Sequence, residues 1–282
     1  VWAYDSPRLY TVQELQVKND QRRSYATAIH LKRKHELVQL ATKEYANATI
    51  GNEGNAVNVL ISNSTPYMLE SQWSAIRASD YAIVNSNTGV VTKIMSKVDG
   101  FATLSPKGKY VYGYSAVDST WYTYDIALNK KVNLTKGKVF YNELNDTPNH
   151  PRSYGSPGWT KNDESILIYD RYDIYKFDPK TGQSKRLTNG RASKTVYRYA
   201  RLDNEERFLD ASKKWLLTTF NETSKNSGYY QYNSKRNRGK QLIDGPYSYS
   251  RPIKAKENNT VAFTRQSFID FPNIRISDLS FK

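Results

Sequence analysis

The sequence predicts an all-β fold of repeated four-stranded units, a β-propeller or a large arc of one. Three observations carry this. Tyrosine supplies 23 of the 282 residues, and large flat side chains suit a pleated, half-buried surface. A strand–turn–strand pattern recurs along the chain. A second turn-and-strand pattern falls between its copies, so each unit holds two hairpins.

The clearest pair of repeats is Thr123–Gly137 and Lys176–Gly190, which align without a gap at an offset of 53. Asp125 and Asp178 open the turns. Asn129 and Gly182 stand where a positive φ is easiest. Leu134 and Leu187 then point back inward. Weaker copies run Ile29–His35 ending at Leu40, Ile83–Gly89 ending at Ile94, Tyr230–Asn237 ending at Leu242, and Ile274–Asp278. The turn-opening positions are 31, 85, 125, 178, 233 and 278, with spacings of 54, 40, 53, 55 and 45. Blades of four strands repeat at about 40–50 residues, so five to six blade repeats are visible. The second pattern is Leu104–Tyr112 and its partner Ser156–Ile168, each a polar turn followed by an apolar strand. Radial repetition of such sheets limits exposed edges.

Leu31–Ala46 would also pass as an amphipathic helix; the repeat favours strand there. Asn47–Asn55 and Asn142–Ser153 are the longest polar stretches and read as excursions between strands. No linker splits the chain, so residues 1–282 form one propeller domain or arc. Val1-Trp2-Ala3-Tyr4 reads as mid-domain sequence, and both ends read as cut. An open arc would leave unpaired edges that favour a homodimer.

There is no cysteine, which excludes a disulfide scaffold, a thiolate metal site and a cysteine nucleophile. No apolar run approaches the length of a membrane helix. The net charge is +15, but basic residues are spread singly except at Lys32-Arg33-Lys34 and Lys235-Arg236-Asn237-Arg238. That spread argues against a nucleic-acid partner.

The stretch Pro151–Tyr175, with its Tyr172-Asp173 run after Asp170-Arg171, resembles the propeller of the prolyl oligopeptidase and dipeptidyl-peptidase-IV-like serine peptidases. So do Val1–Tyr4, Arg22–Tyr25 and Tyr197–Asp203. The resemblance covers nearly the whole chain. It implies a periplasmic or extracellular peptidase in which the propeller screens short peptides over a following α/β-hydrolase domain. That domain would follow residue 282. It also implies that propeller carboxylates can hold a peptide's free amine; Glu143 with Asp146, and Glu205 with Glu206, are the candidates. Asp170-Arg171-Tyr172-Asp173 reads as a blade strand whose Asp and Arg cross-link neighbouring blades, or as a chamber wall from which Arg171 holds a peptide carboxylate or carbonyl, with Asp173 as a further substrate-binding candidate. Arg198 reads similarly.

Catalytic groups are not legible in this stretch of sequence. No Gly-x-Ser-x-Gly elbow is present. Of the three histidines, His30 and His35 read as solvated or structural and His150 as a turn residue. No His-Glu-x-x-His or EF-hand spacing appears, so no metal or cofactor is expected. Asp163-Glu164 reads as a solvated turn, and Trp121 and Trp159 as packing residues. The reading is therefore a non-catalytic propeller that gates and orients peptides and docks on a hydrolase domain. The alternative is a self-standing propeller that binds a protein or an acidic glycan.

Overall fold

The computed structural model describes residues 5–51, 54–74 and 77–281; the opening Val1–Tyr4 of the resemblance lies outside them. The chain divides into two compact units. One comprises Val1–Lys136 with Asp146–Pro151, the other Gly137–Asn145 with Arg152–Lys282. Regular structure in both is mostly antiparallel β.

The first unit begins with helix α1 (Tyr10–Gln21), which buries none of its residues. Hairpin β1 (Thr27–His30) and β2 (Glu36–Gln39) follows, then β3 (Asn47–Ile50), β4 (Asn58–Asn63), β5 (Ala78–Asn85), β6 (Val91–Leu104), β7 (Tyr110–Ser115), β8 (Thr120–Asp125) and β9 (Lys130–Asn133). Strands β3 to β9 form one sheet in sequence order. It is two four-stranded sets sharing a strand: β6 pairs with β5 up to Asp99 and with β7 from Gly100. The changeover requires glycine. Gly100 has φ 118°, and a Cβ there would lie 2.1 Å from the Tyr114 carbonyl oxygen. Two corrections arise here. Asn47–Ile50 is strand rather than excursion, and α1 was not anticipated.

The second unit holds three sheets. The first is β10 (Gly158–Trp159), β11 (Ile166–Tyr169), β12 (Ile174–Phe177) and β13 (Ser184–Arg186). The next is β14 (Thr195–Tyr199), β15 (Lys214–Asn221), β16 (Ser227–Asn233) and β17 (Arg238–Gly245). In the last, β18 (Ser248–Tyr249) and β19 (Ile253–Lys254) pair along one edge of β20 (Val261–Gln266), and β21 (Asn273–Ser277) pairs with the other. Their faces pack on one another. Leu167, Tyr169 and Ile174 meet Trp215, Leu217 and Tyr232; Leu216 and Tyr229 meet Val261, Phe263 and Phe281. Each such buried side chain contributes about 1.5–3 kcal/mol.

The repeated turns have the expected chemistry. Side-chain oxygens of Asn85, Asp125, Asp178, Asn233 and Asp278 accept from the backbone two or three residues on, at 2.7–3.1 Å. Gly89, Asn129, Gly182 and Asn237 all have positive φ four residues after the turn opens. The second pattern repeats in atomic detail. Ser105 N–H donates to the Tyr110 carbonyl at 2.9 Å, and Tyr110 N–H returns to Ser105 Oγ at 3.0 Å. Thr160 and Ser165 do the same at 2.9 and 3.1 Å. Leu31–His35 is turn and Glu36–Gln39 strand, so the repeat outweighs the helical period there. Trp121 and Trp159 are buried. Asp163 is buried too, so the reading of that turn as wholly solvated holds only for Glu164.

Candidate functional site

The densest polar cluster grows from the β11–β12 turn. Asp170 closes it by accepting from Tyr172 N–H at 2.9 Å and from Asp173 N–H, an Asx-type turn that uses the side chain as a backbone mimic. Asp173 is fully buried. It accepts from Thr188 Oγ1 at 2.7 Å and from Gly190 and Arg191 N–H at 2.6 and 3.2 Å. Those bonds bring Arg191 beside the turn, where its guanidinium binds Glu143 at 2.6 Å and Asp170 at 3.0 Å.

On the other flank Arg171 makes a two-pronged pair with Glu222, at 3.1 and 2.8 Å, and Tyr172 Oη donates to the same carboxylate at 2.7 Å. The guanidinium carbons of Arg171 and Arg191 each lie 5.1 Å from the Tyr172 ring centroid, within cation–π range. Arg198 runs beneath, 4.6 Å from the Tyr169 ring, and donates to the carbonyls of Asp170 and Arg171 at 3.1 and 2.9 Å.

Electrostatics follow from these contacts. Burial opposes the charge of Arg171, but the hydrogen bond and charge of Glu222 more than offset it and hold its pKa above the ordinary value. Glu222 is opposed by burial too, yet bonds from Tyr172 and Arg171 hold its carboxyl below the usual range. The bond to Glu143, together with Asp170, raises Arg191 against the effect of burial. Burial lowers Arg198, outweighing the raising effect of Tyr169 and Asp170 nearby.

A pocket of about 500 Å³ opens beside Arg191, within the size range of small-ligand sites. Its ionic end is Glu143, Asp170 and Arg191. Its apolar wall is Phe140 and Tyr175, edge to face at 5.0 Å. Lys138 completes the rim, held to Ser184 Oγ at 2.8 Å. Chemically, this is a recess with fixed charges of both signs and an aromatic side, suited to a short zwitterionic or amide-bearing chain. Among the described residues, no group of three or more His, Asp or Glu could hold a metal ion.

The structure separates the expected residues. Glu143 lines the pocket. Arg171 is committed to Glu222, which supports the cross-link reading. Asp173 has its oxygens taken by buried donors and positions Arg191. Arg198 supports the turn from below. Asp146 is exposed and does not line the pocket. Glu205 is exposed on a turn, and it is Glu206 that accepts from Tyr199 Oη at 2.6 Å. Sequence reading missed Arg191, Glu222, Lys138, Phe140 and Tyr175. The repeat could have found Glu222, which lies 51 residues from Arg171, close to the offset of 53, on the equivalent turn of the next sheet.

No protein-family model matches the chain, and no curated protein matches it. Solved structures do. The dipeptidyl peptidase 4 of Porphyromonas gingivalis matches over 98% of this chain and 48% of its own, at 10% identity and a TM-score of 0.50. A putative dipeptidyl aminopeptidase IV of Bacteroides ovatus matches over 86% and 40%, at 11% identity and a TM-score of 0.52. TolB of Acinetobacter baumannii matches over 77% and 54%, at 16% identity and a TM-score of 0.39. The chain thus spans about half the length of the first and third of these proteins and two-fifths of the second. At such identities the likeness is one of fold alone: several antiparallel sheets arranged like those of propeller-like neighbours.

Proposed function

We propose that this chain is a non-catalytic propeller domain of a serine peptidase, which orients and screens short peptides and docks on a hydrolase domain. The observation that carries the reading is the fold likeness to a dipeptidyl peptidase over 98% of the chain. The recess at Glu143 and Arg191 supports it, because fixed charges beside an aromatic wall suit peptide ends and amides. The domain supplies no acyl-transfer group. Its contribution is positioning, which converts binding into correct orientation at a site held elsewhere. Such a protein would work in the periplasm or outside the cell. Among the described residues no helix is long and apolar enough to cross a membrane.

The test is hydrolysis of short chromogenic peptides, free and blocked at the N-terminus. The 282-residue chain is compared with a gene product extended past Lys282. Activity only in the longer protein, with KM raised by Glu143→Gln and kcat unchanged, is the expected outcome. Activity in neither protein would favour a self-standing binding propeller. Activity in this chain alone would overturn the non-catalytic reading.

A further inference from the structure

The sheet β14–β17 carries a second recess, of about 230 Å³, which the peptide reading does not use. Register makes it. Tyr197, Thr219, Gly228 and Asp244 lie opposite one another across the four strands, and residues so placed share a face. Glycine at the third place leaves a gap in that row between Thr219 and Asp244. A side chain cannot fill it, since a Cβ at Gly228 would lie 1.9 Å from the Ile243 carbonyl oxygen.

The walls are fixed from behind. Gln241 Nε2 donates to the Ile243 carbonyl at 2.8 Å, and to the Tyr229 carbonyl and Thr219 Oγ1 at 3.2 Å each. Three acceptors around the nitrogen settle which end of the amide is which, so Oε1 is the end offered to the recess. Asn221 shapes the neighbouring turn: its Nδ2 donates to the Ser193 carbonyl at 2.7 Å, and its Oδ1 accepts from Thr223 and Ser224 N–H at 2.9 and 2.8 Å. Asp244 Oδ2 accepts from Asn226 Nδ2 at 3.0 Å. The Tyr197 ring stands edge to face with Tyr230 at 5.1 Å.

Four polar groups lining this recess keep capacity to spare. Among the described residues, Tyr197 Oη and Gln241 Oε1 have no hydrogen-bond partner, Asp244 Oδ1 accepts from none, and the Thr219 hydroxyl proton has no acceptor. Two donors thus face two acceptors, and none of the lining residues is basic. An anion would meet Asp244 with no cation beside it. An ammonium could use Asp244 but would leave the Tyr197 and Thr219 donors unmatched, because it accepts nothing. A sugar ring satisfies both sets, since each hydroxyl donates and accepts, and its C–H face can lie against the Tyr197 ring. The volume falls below the roughly 300–1,000 Å³ of drug-sized sites, so one ring fits rather than a chain.

We propose that this recess binds one residue of a neutral carbohydrate, with Asp244 and Gln241 accepting from its hydroxyls and Tyr197 and Thr219 donating to them. The site stands whether or not the domain screens peptides.

The test is an amide NMR titration of the 282-residue chain with methyl glycosides of glucose, galactose, mannose and N-acetylglucosamine, beside glucosamine and glucuronic acid as charged probes. At least one neutral glycoside should shift the Gln241 side-chain amide and the Ser224 backbone amide with a millimolar dissociation constant, and both charged probes should bind more weakly. Tyr197→Phe removes only a hydroxyl that no described residue bonds, so it should keep the melting temperature and weaken binding roughly five- to tenfold. Asp244→Ala, at an exposed position, should weaken it in the same direction. The proposal is overturned if no neutral glycoside shifts these amides, if both variants bind as the parent does, or if a charged probe binds more tightly than every neutral one.

Discussion

Arg171 and Glu222 stand 51 residues apart and meet as a two-pronged pair, Nε to Oε1 at 3.1 Å and Nη2 to Oε2 at 2.8 Å. The pair joins the β11–β12 turn to the β15–β16 turn of the adjacent sheet. Both side chains are largely withdrawn from water, at 20% and 25% exposure, so solvent screens the pair less than it would a surface pair. Glu222→Ala removes the partner of both Arg171 and Tyr172. It should cost about 1.5–3 kcal/mol, read as a lower midpoint in urea with an unchanged slope.

The same pair sets a pH dependence. Burial works against the Glu222 charge, but Tyr172 and Arg171 outweigh it, so the folded-state pKa lies below the ordinary 4.5. A depressed carboxyl contributes stability that is fully present above the ordinary value and is lost as pH falls through the folded one. Glu222→Gln should therefore flatten the acid limb of the stability curve below about pH 4.5, and leave its shape at neutral pH alone. An acid limb as steep as in the parent chain would argue against the pair as its source.

Arg191 bridges two carboxylates of unequal worth. Asp170 is 4% exposed and also holds two backbone N–H groups, whereas Glu143 is 23% exposed and Arg191 itself 43%. Asp170→Ala should cost about 3–5 kcal/mol, since it leaves buried donors and a charge unpaired. Glu143→Ala should cost under about 1 kcal/mol. Thermal melts of the two variants check the ranking. A small cost at Glu143 would leave that carboxylate free to be spent on a ligand.

Asp173 tests the buried acceptor. Its Oδ1 takes Thr188 and Gly190, and its Oδ2 takes Arg191 N–H. Asp173→Asn keeps the shape but turns an amide donor towards a backbone donor, so it should cost about 1–3 kcal/mol. Amide hydrogen exchange at Gly190 and Arg191 should speed up in the same variant.

Gly228 lies between Thr219 and Asp244 in the sheet register. A Cβ there would stand 1.9 Å from the Ile243 carbonyl oxygen and 2.9 Å from Gln241 Nε2. Gly228→Ala should lower stability by about 1–3 kcal/mol through backbone displacement, seen as a lower melting temperature in calorimetry.

The sequence by itself determined the repeated turns and the mostly β character. Asn85, Asp125, Asp178 and Asn233 bond to backbone within three residues, and Gly89, Asn129, Gly182 and Asn237 take positive φ locally, so a short window contains the whole cause. Helix α1 escaped the reading because it buries none of its residues, and burial is what writes a periodic apolar signature. Asn47–Ile50 escaped because its strand is four residues long and mostly exposed, too short to show an alternating pattern. The Glu143–Arg191 pair, 48 residues apart, and the burial of Asp173 were decided only by tertiary structure. Charge and hydrogen-bond capacity are visible in a residue's name, but whether a carboxylate meets water, an arginine or a buried N–H depends on which strands stack, and that depends on packing across sheets rather than on neighbours in the chain.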